Sequence, residues 1–319
     1  MSGTPEALAL GAHAIQGPYL AALITYYGFL SLFPLLLLLV TILGFALDGD
    51  PHLRSELIDS ALAQFPVIGS QLRGNVHSLT GSGIGLVVAI VTMLYGCLGA
   101  AGATQNAFNR AWAVPHNRRP NPITARLRSL LMLLVLGAGV LVTTVLAALT
   151  TGVGAYGADV AGVLRVGATL LAVVANIGLF MLAFRVLTAS EVATRQLLVG
   201  AMVAGVGWQV VQILGTYLVT HSLKGSQEAY GVFGLVLGLI AWIYLLALVT
   251  VVATEINVVA SRRLWPRALL TPFTDRVTLT PADERAYTGY AGSEQRKGFE
   301  VIDVGFEPPT SQPRAEREP

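Results

Sequence analysis

An acid and an amide stand at an unusual position in this sequence. Glu255 and Asn257 directly follow residues 229–254, a run that contains no Asp, Glu, Lys or Arg. An ionisable group at the end of such a run has to be paired, protonated or in contact with water, and it is by default a candidate functional group. Its candidate ionic partners, Arg110 and Arg185, end two other apolar runs. The alternative is an ion pair that only fastens helix ends together.

Further polar residues extend this candidate site. Asn106 and Asn109 close the apolar run 74–109, immediately before Arg110. Basic and amide side chains at a membrane surface interact with lipid head groups, so these residues predict a polar vestibule on the cytoplasmic side of a membrane. We assign to this vestibule Glu255, Asn257, Asn106, Asn109, Arg110, Tyr26, Tyr27, Ser31 and Pro34.

The residues taken from the first apolar run have specific expectations. Pro34 removes one helical hydrogen bond and is expected to kink its helix. Tyr26 and Tyr27 fit either a packing role inside a bundle or an aromatic belt at the membrane interface.

Three amides occur closer to the middle of apolar runs. They are Asn176, Gln209 and Gln212. One interpretation is ordinary hydrogen bonding between membrane helices, which contributes about 0.6 to 2 kcal/mol for each bond. The sharper interpretation is a polar path for a substrate.

No catalytic or metal-binding constellation is recognisable in the sequence. The five histidines fall in five separate segments, and the single cysteine, Cys97, allows no intramolecular disulfide. The sequence also lacks a nucleophile elbow and a Walker A loop. We therefore predict no enzyme activity, no metal and no cofactor. The arginines of residues 110–128 are explained by membrane orientation, so we predict no nucleic-acid partner.

Transmembrane helices are needed to hold these residues in place. Charged residues make up only 12% of the chain, against about 25% in an average soluble domain. A bilayer core about 30 Å thick requires about 20 apolar residues in a helix. Six charge-free runs of about that length or more occur, at residues 7–47, 74–109, 129–158, 166–184, 196–223 and 229–254. The predicted fold is all-α, a polytopic membrane protein with six transmembrane helices.

Arginine placement predicts the orientation of these spans. The segments after the second, fourth and sixth runs are rich in arginine, and the segments after the first, third and fifth are not. By the positive-inside rule both termini are cytoplasmic, N-in and C-in. Within a membrane domain of residues 20–266, the spans are predicted at residues 20–47, 84–104, 130–151, 162–187, 197–218 and 232–259.

Three segments fall outside the predicted spans. Residues 1–19 form a cytoplasmic N-terminal segment. Residues 48–83 form an extracytoplasmic loop in which apolar residues at helical spacing predict two short amphipathic helices. Residues 267–319 are polar, contain several prolines and lack apolar periodicity, which predicts a disordered cytoplasmic tail. Inside the spans, small residues at four-residue spacing, such as Gly200 with Ala204, predict close helix contacts and allow a homo-oligomer without requiring one.

Three blocks of the sequence resemble a known family. They are Tyr-Tyr-Gly-Phe-Leu-Ser-Leu-Phe-Pro at 26–34, Gln-Asn-Ala-Phe-Asn-Arg-Ala-Trp at 105–112, and the last span from Tyr230 to Asn257. In this order they resemble the YihY/BrkB inner-membrane proteins, formerly labelled ribonuclease BN. Where that family commonly has Gly-Ala-Glu-Leu-Asn, this chain has Ala-Thr-Glu-Ile-Asn at 253–257. The acid and the amide are kept and the glycine is lost, which puts close helix packing at this place in doubt.

The resemblance implies a multi-pass protein of the bacterial cytoplasmic (inner) membrane. It favours transport of a lipid or another envelope-related substrate over ribonuclease activity, for which the sequence offers no site. Membrane lipids are the expected partners. The alternative function is a non-catalytic scaffold for envelope assembly that acts through its outer helices and its tail.

Overall fold

The computed structural model describes residues 17–46, 83–151, 158–189, 192–221, 223–265, 267–268 and 277–306. Within these ranges all regular secondary structure is helical, with no strand. The α-helices are α1 (Gly17–Ala46), α2 (Gly83–Ala111), α3 (Pro122–Thr151), α4 (Ala158–Leu187), α5 (Thr194–His221), α6 (Leu223–Arg262) and α7 (Pro281–Ser293). A 3-10 helix, His116–Arg118, lies between α2 and α3. The all-α prediction is confirmed for the described residues.

The six long helices overlap the six predicted spans. In the part of the chain that the structure describes, three stretches are long and apolar enough to cross a membrane, at Leu170–Leu187, Thr194–Gly215 and Val236–Arg262. Large apolar side chains also point outward from α3, α4 and α5, including Leu134, Val174 and Ile213. A surface of that kind fits lipid better than water. The count of six crossings and the N-in/C-in orientation stay predictions.

The helices form one bundle in which α1 packs against α2 and α6, and α5 packs against α4 and α6. Glycines permit the closest approaches. A Cβ atom on Gly96 would lie 2.8 Å from the Cβ and the backbone nitrogen of Ser31 on α1. A Cβ atom on Gly200 would overlap the Ala253 carbonyl oxygen of α6. The close helix contact predicted at Gly200 is therefore confirmed. The alanine at position 253 does not prevent close packing of α5 on α6.

Among the described residues, the buried core lies mainly toward the end at which α2, α4 and α6 finish and α3 and α5 begin, called here the polar end. Its core contains Phe108 and Phe184, whose ring centroids are 5.1 Å apart. Both α2 and α6 finish there with a residue in the left-handed conformation, Ala113 (φ 46°) and Arg263 (φ 51°). The amide of the next residue, Val114 or Leu264, bonds back to the carbonyl five residues earlier, which closes the helix ends.

Part of the segment predicted to be a disordered tail is ordered. Residues 277–306 are described, and 281–293 form α7, so the prediction of disorder is wrong for this part of 267–319. The physical reason is a capping box: the Thr280 hydroxyl accepts from the Asp283 amide, and the Asp283 carboxylate accepts from the Thr280 amide. Pro281 at the start of α7 adds a residue already fixed in a helical φ.

The other predicted soluble segments lie largely outside the described residues. Of the extracytoplasmic loop 48–83 only Gly83 is described, as the first residue of α2, so its two amphipathic helices stay predictions. Of the N-terminal segment 1–19 only residues 17–19 are described, and they begin α1.

Candidate functional site

Glu255 is buried at the polar end with an unsatisfied oxygen. Its side chain lies on α6 and only 2% of the residue is exposed. Its Oε1 atom has no hydrogen-bond partner among the residues that the structure describes. A carboxylate in such a setting bears a desolvation cost that no hydrogen bond to this oxygen repays.

The ionic partners predicted for Glu255 are wrong. Arg110 is exposed, and Arg185 donates from Nη1 to the Thr194 hydroxyl at 2.8 Å. In the described part of the chain neither forms an ion pair with Glu255. Both arginines were chosen because they end apolar runs at a similar depth. Depth alone does not give the rotation of a helix, and rotation decides which side chains meet.

Arg262 is the cation that interacts electrostatically with Glu255. It lies seven residues later on the same helix, a spacing that returns to the same face. The end of α2 holds its guanidinium group: Nη2 donates to the Trp112 carbonyl, and the guanidinium carbon lies 5.8 Å from the Trp112 ring centroid. Arg262 therefore offsets the charge of Glu255 while its hydrogen bond goes elsewhere. The heptad spacing was a signal in the sequence that could have identified it.

Tyr290 reaches the same place from α7. It packs against the core of the polar end, and its hydroxyl accepts a hydrogen bond from the Arg267 guanidinium. Burial raises the pKa of Tyr290 above its ordinary value, and the negative charge of Glu255 raises it further. Tyr290 is therefore a neutral hydroxyl near Glu255 at physiological pH. It was missed because its segment was predicted to be disordered.

Asn257 is used to join α6 to α5. Its Oδ1 accepts a hydrogen bond from the Gly200 amide at 2.6 Å, and the side chain is fully buried. Its Nδ2 has no partner within the described ranges. Gly200 is the seventh residue of α5, so this bond joins the two helices and does not cap the first turn of α5.

The amides at the end of α2 also bind backbone or neighbouring side chains. Asn109 accepts at Oδ1 from the Ala189 amide at 2.8 Å, which joins α2 to the segment after α4. Asn106 accepts from Arg119 Nη1 at 3.4 Å. The predicted vestibule residues of α2 and α6 thus lie at one end of the bundle. The amides hold helix ends together, and Glu255 is the member whose carboxylate oxygen lacks a partner.

The residues predicted from α1 lie farther away. Tyr27 packs on Gly99 and makes edge contacts with the rings of Tyr26 and Tyr95 at centroid distances of 5.2 and 6.3 Å. Tyr26 is 61% exposed, which agrees with an interfacial position. Gly28 faces Ile243, which lies about 18 Å along α6 from Glu255 at 1.5 Å per residue.

The remaining two residues of that group belong to the same part of α1. Ser31 donates to the Gly28 carbonyl at 2.9 Å and packs on Gly96, so it lies at the contact of α1 with α2. Pro34 lies within α1, which continues as one helix to Ala46.

The three central amides are half-buried. Asn176 precedes Ile177, which packs on Gly205 of α5. Gln209 and Gln212 follow on α5, about one and two turns beyond Gly205. Their partial burial fits hydrogen bonding between helices and fits a polar path equally.

Within the described ranges no group of three or more His, Cys, Asp and Glu residues could hold a metal ion. Cys97 is a free, buried cysteine on α2. The arrangement in the described residues is a packed polar end with one unsatisfied carboxylate, a cation two turns away and a half-buried tyrosine.

Sequence comparison identifies the family. The virulence factor BrkB family matches residues 11–274, which include all six long helices and Glu255. The chain belongs to the BrkB family. The resemblance noted in the three sequence blocks is confirmed. α7 begins at Pro281, beyond the matched region.

Two curated proteins match over most of their length. Inner membrane protein YhjD of Escherichia coli K12 is 25% identical over 254 residues, which cover 73% of this chain and 74% of YhjD. The putative ribonuclease-like protein YfkH of Bacillus subtilis 168 is 24% identical over 255 residues, 78% of this chain and 91% of YfkH. No solved structure matches the chain.

Membership of the BrkB family, apolar helices long enough to cross a bilayer and the inner-membrane relative together confirm that this is an integral protein of the cytoplasmic (inner) membrane. The word ribonuclease belongs to the name of YfkH, and 24% identity does not carry it to this chain.

Proposed function

We propose that this BrkB-family protein is a six-span, N-in/C-in transporter whose polar end faces the cytoplasm and receives the polar group of a lipid or another envelope-related substrate. Glu255 binds that group. The exposed arginines at the polar end, among them Arg110, Arg118 and Arg126, support a cytoplasmic position for it.

The observation that carries the proposal is the unsatisfied Oε1 atom of Glu255. A carboxylate kept only to fasten helices is normally saturated with hydrogen bonds, because the unpaired group costs free energy. Binding sites keep such an unpaired group despite its free-energy cost because the ligand pairs with it, and ionisable groups in membrane segments mark such sites. A positively charged substrate group, such as the ammonium of a zwitterionic head group, supplies the donors that Oε1 lacks.

A lipid substrate fits the surface of the bundle. Near the polar end, α3 exposes Ile123, Leu127 and Leu131 next to the exposed Arg126. Acyl chains can stay against such an apolar surface while the head group approaches the basic rim. No catalytic step is part of the proposal.

The experiment is phospholipid translocation in proteoliposomes with native protein, Glu255→Gln and empty vesicles. We expect protein-dependent movement that Glu255→Gln abolishes. The matched control is Glu284→Gln, an exposed acid in the first turn of α7, which should move lipid at the native rate. Movement retained by folded Glu255→Gln protein would remove Glu255 from the mechanism. No movement by folded native protein would remove lipid as the substrate.

A scaffold function is favoured by one observation in the tail. After α7, Phe299 and Val301 are 87% and 88% exposed. Exposed apolar side chains on an extended segment suit contact with a partner protein. Replacing both by Ser should leave lipid movement unchanged under the transporter proposal. Loss of envelope function in cells, with lipid movement intact, would favour the scaffold.

A further inference from the structure

α7 lies beyond the region that the BrkB family matches, yet specific contacts hold it against the polar end. Its anchor is Asp283, which is fully buried. The Asp283 Oδ1 atom accepts from Arg267 Nε at 2.6 Å, and Oδ2 accepts from the Ala268 amide at 2.9 Å. The short stretch 267–268 after α6 and the first turn of α7 are thereby joined.

Three more contacts fix the orientation of α7. Arg285 Nη2 donates to the Arg263 carbonyl at 2.7 Å, directly after α6. The Ser293 carbonyl bonds to His116 Nδ1 at 2.9 Å, and the Asn117 amide donates to the Gln295 carbonyl at 3.2 Å. One end of α7 is therefore held by the end of α6 and the other by the segment between α2 and α3.

The middle of α7 lies over the surroundings of Glu255. A Cβ atom on Gly289 would be 3.5 Å from Arg262 Nη1 and 3.8 Å from the Ala113 Cβ. The next residue, Tyr290, packs into the core of the polar end and is within electrostatic range of Glu255. α7 thus lies against Arg262 and the residue after α2, and its tyrosine interacts electrostatically with Glu255.

We propose that α7 is a lid over Glu255 and that the Arg267–Asp283 ion pair is its latch. With the lid docked, Glu255 is sealed from the cytoplasm, and release of the latch exposes it beside Arg262, which is already exposed. The regulatory consequence, control of substrate entry, rests on the proposed function. The exposure of Glu255 by lid release does not.

The docked state contains polar atoms that opening would satisfy. Glu255 Oε1 and Arg267 Nη1 are buried and have no partner in the part of the chain that the structure describes. Water or a substrate reaching the polar end would supply partners for both, so the unsatisfied atoms favour the open state. The hydrogen bonds to Asp283 oppose it. A lid balanced in this way can respond to a ligand.

The first test measures access to position 255 directly. In a Cys97→Ala background, Glu255→Cys supplies a single thiol, and a membrane-impermeant maleimide is added to inverted membrane vesicles. Asp283→Asn should raise the labelling rate about tenfold or more, the effect of about 1.4 kcal/mol on a lid equilibrium. The control is Asp303→Asn, an exposed acid farther along the tail, which should leave the rate unchanged.

A second variant protects this test against misfolding. Arg285 is exposed, so Arg285→Gln removes its bond to the Arg263 carbonyl without touching the core. It should raise labelling about threefold, whereas Arg296→Gln, which changes another exposed arginine, should not. Equal labelling of Arg285→Gln and Arg296→Gln, in folded protein, would overturn the lid.

A cross-link tests the consequence for transport. The 3.8 Å between the Ala113 Cβ and a Cβ on Gly289 suits a disulfide. Ala113→Cys with Gly289→Cys, also in the Cys97→Ala background, should stop lipid movement when oxidised and restore it on reduction. Gly289→Cys alone should be insensitive to oxidation. Full transport by cross-linked protein would overturn control by the lid.

The two proposals fail in different ways. Labelling that responds to the latch in a protein that moves no lipid would keep the lid and reject the transporter. Lipid movement that needs Glu255, with labelling that ignores the latch, would keep the transporter and reject the lid.

Discussion

Two buried acids, Asp283 and Glu255, have opposite surroundings. Asp283 is 0% exposed and accepts hydrogen bonds from Arg267, from the Ala268 amide, and from both the amide and the hydroxyl of Thr280. Glu255 is 2% exposed, and its Oε1 accepts none within the described residues. Burial is the same in the two places, and hydrogen bonding is what differs.

The difference separates a structural acid from a candidate functional one. Burial alone would raise the pKa of Asp283, but the hydrogen bonds from Ala268, Thr280 and Arg267 outweigh it and lower that pKa below its usual range. Asp283 is therefore a stable anion that holds α7 in place. Among the described residues, the cation that offsets the charge of Glu255 is Arg262, seven residues later on α6. The presence of Glu255 is better explained by what it binds than by what it stabilises.

Replacing Arg267 should cause the largest loss of stability among these variants, and this loss should be confined to the docking of α7. Arg267→Gln leaves Asp283 buried without its cation, and breaking a buried pair in this way costs about 3 to 5 kcal/mol. Hydrogen exchange in detergent or nanodiscs should then show fast exchange of amides 281–293 and unchanged protection in α6. The control is Arg296→Gln. If the amides of α7 exchanged as slowly in Arg267→Gln as in native protein, the ion pair of Asp283 would not be what holds α7. Asp283 and Glu255 would then differ less in structural role than their contacts indicate.

Acid should release α7 in the native protein. Because the pKa of Asp283 is lowered on docking, the ion pair stabilises the docked state fully above the ordinary Asp value of 3.8 and loses this contribution as the pH falls below it, through the docked-state pKa. Each unit by which the pKa is lowered corresponds to about 1.4 kcal/mol. Proteolysis of the tail at a series of pH values, with an acid-active protease, should show increasing cleavage below this point. The transition should disappear in Asp283→Asn.

Replacing Glu255 should affect stability in the opposite direction: it should not destabilise the protein, whereas replacing Arg267 should destabilise the docking of α7. Glu255→Gln removes a buried ionisable group and loses no hydrogen bond to Oε1 within the described residues, so the folded state should keep its stability or gain about 1 kcal/mol. Thermal unfolding in one detergent should show a melting temperature equal to or above that of native protein. The same change at Asp283, Asp283→Asn, should lower the stability of the docked tail. A clear loss of stability in Glu255→Gln would show that Glu255 is a structural acid after all.

The sequence predicted the two acids with unequal success. The helices followed from long charge-free runs, because a bilayer allows little besides a helix for such runs. Glu255 was found by its position at the end of one. Its neighbours were not, since Arg110 and Arg185 lie at a suitable depth on helices turned elsewhere.

The site of Asp283 was missed for a different reason. Its segment is polar and proline-bearing, and composition alone favoured disorder. The capping box Thr-Pro-Ala-Asp at 280–283 was visible in the sequence and marks the start of α7. The docking partner, Arg267, could not be read from local pattern, because an isolated helix of 13 residues is marginal and owes its position to tertiary contacts.

The smallest expected effect on the docking of α7 is that of replacing Tyr290. This residue accepts a hydrogen bond from Arg267 and interacts electrostatically with Glu255. Tyr290→Phe keeps the ring in the core and removes the hydroxyl that accepts from Arg267, a loss of about 0.5 to 1.5 kcal/mol in the docking of α7. Hydrogen exchange of α7 should rise by less than in Arg267→Gln, and Tyr287→Phe, at an exposed tyrosine of the same helix, should leave it unchanged. Because the hydroxyl lies near the charge of Glu255, Glu255→Gln should alter the effect of Tyr290→Phe in a double-mutant cycle. Strict additivity of the two changes would mean that the lid and the acid are energetically independent, and the inserted tyrosine would then serve only to anchor α7.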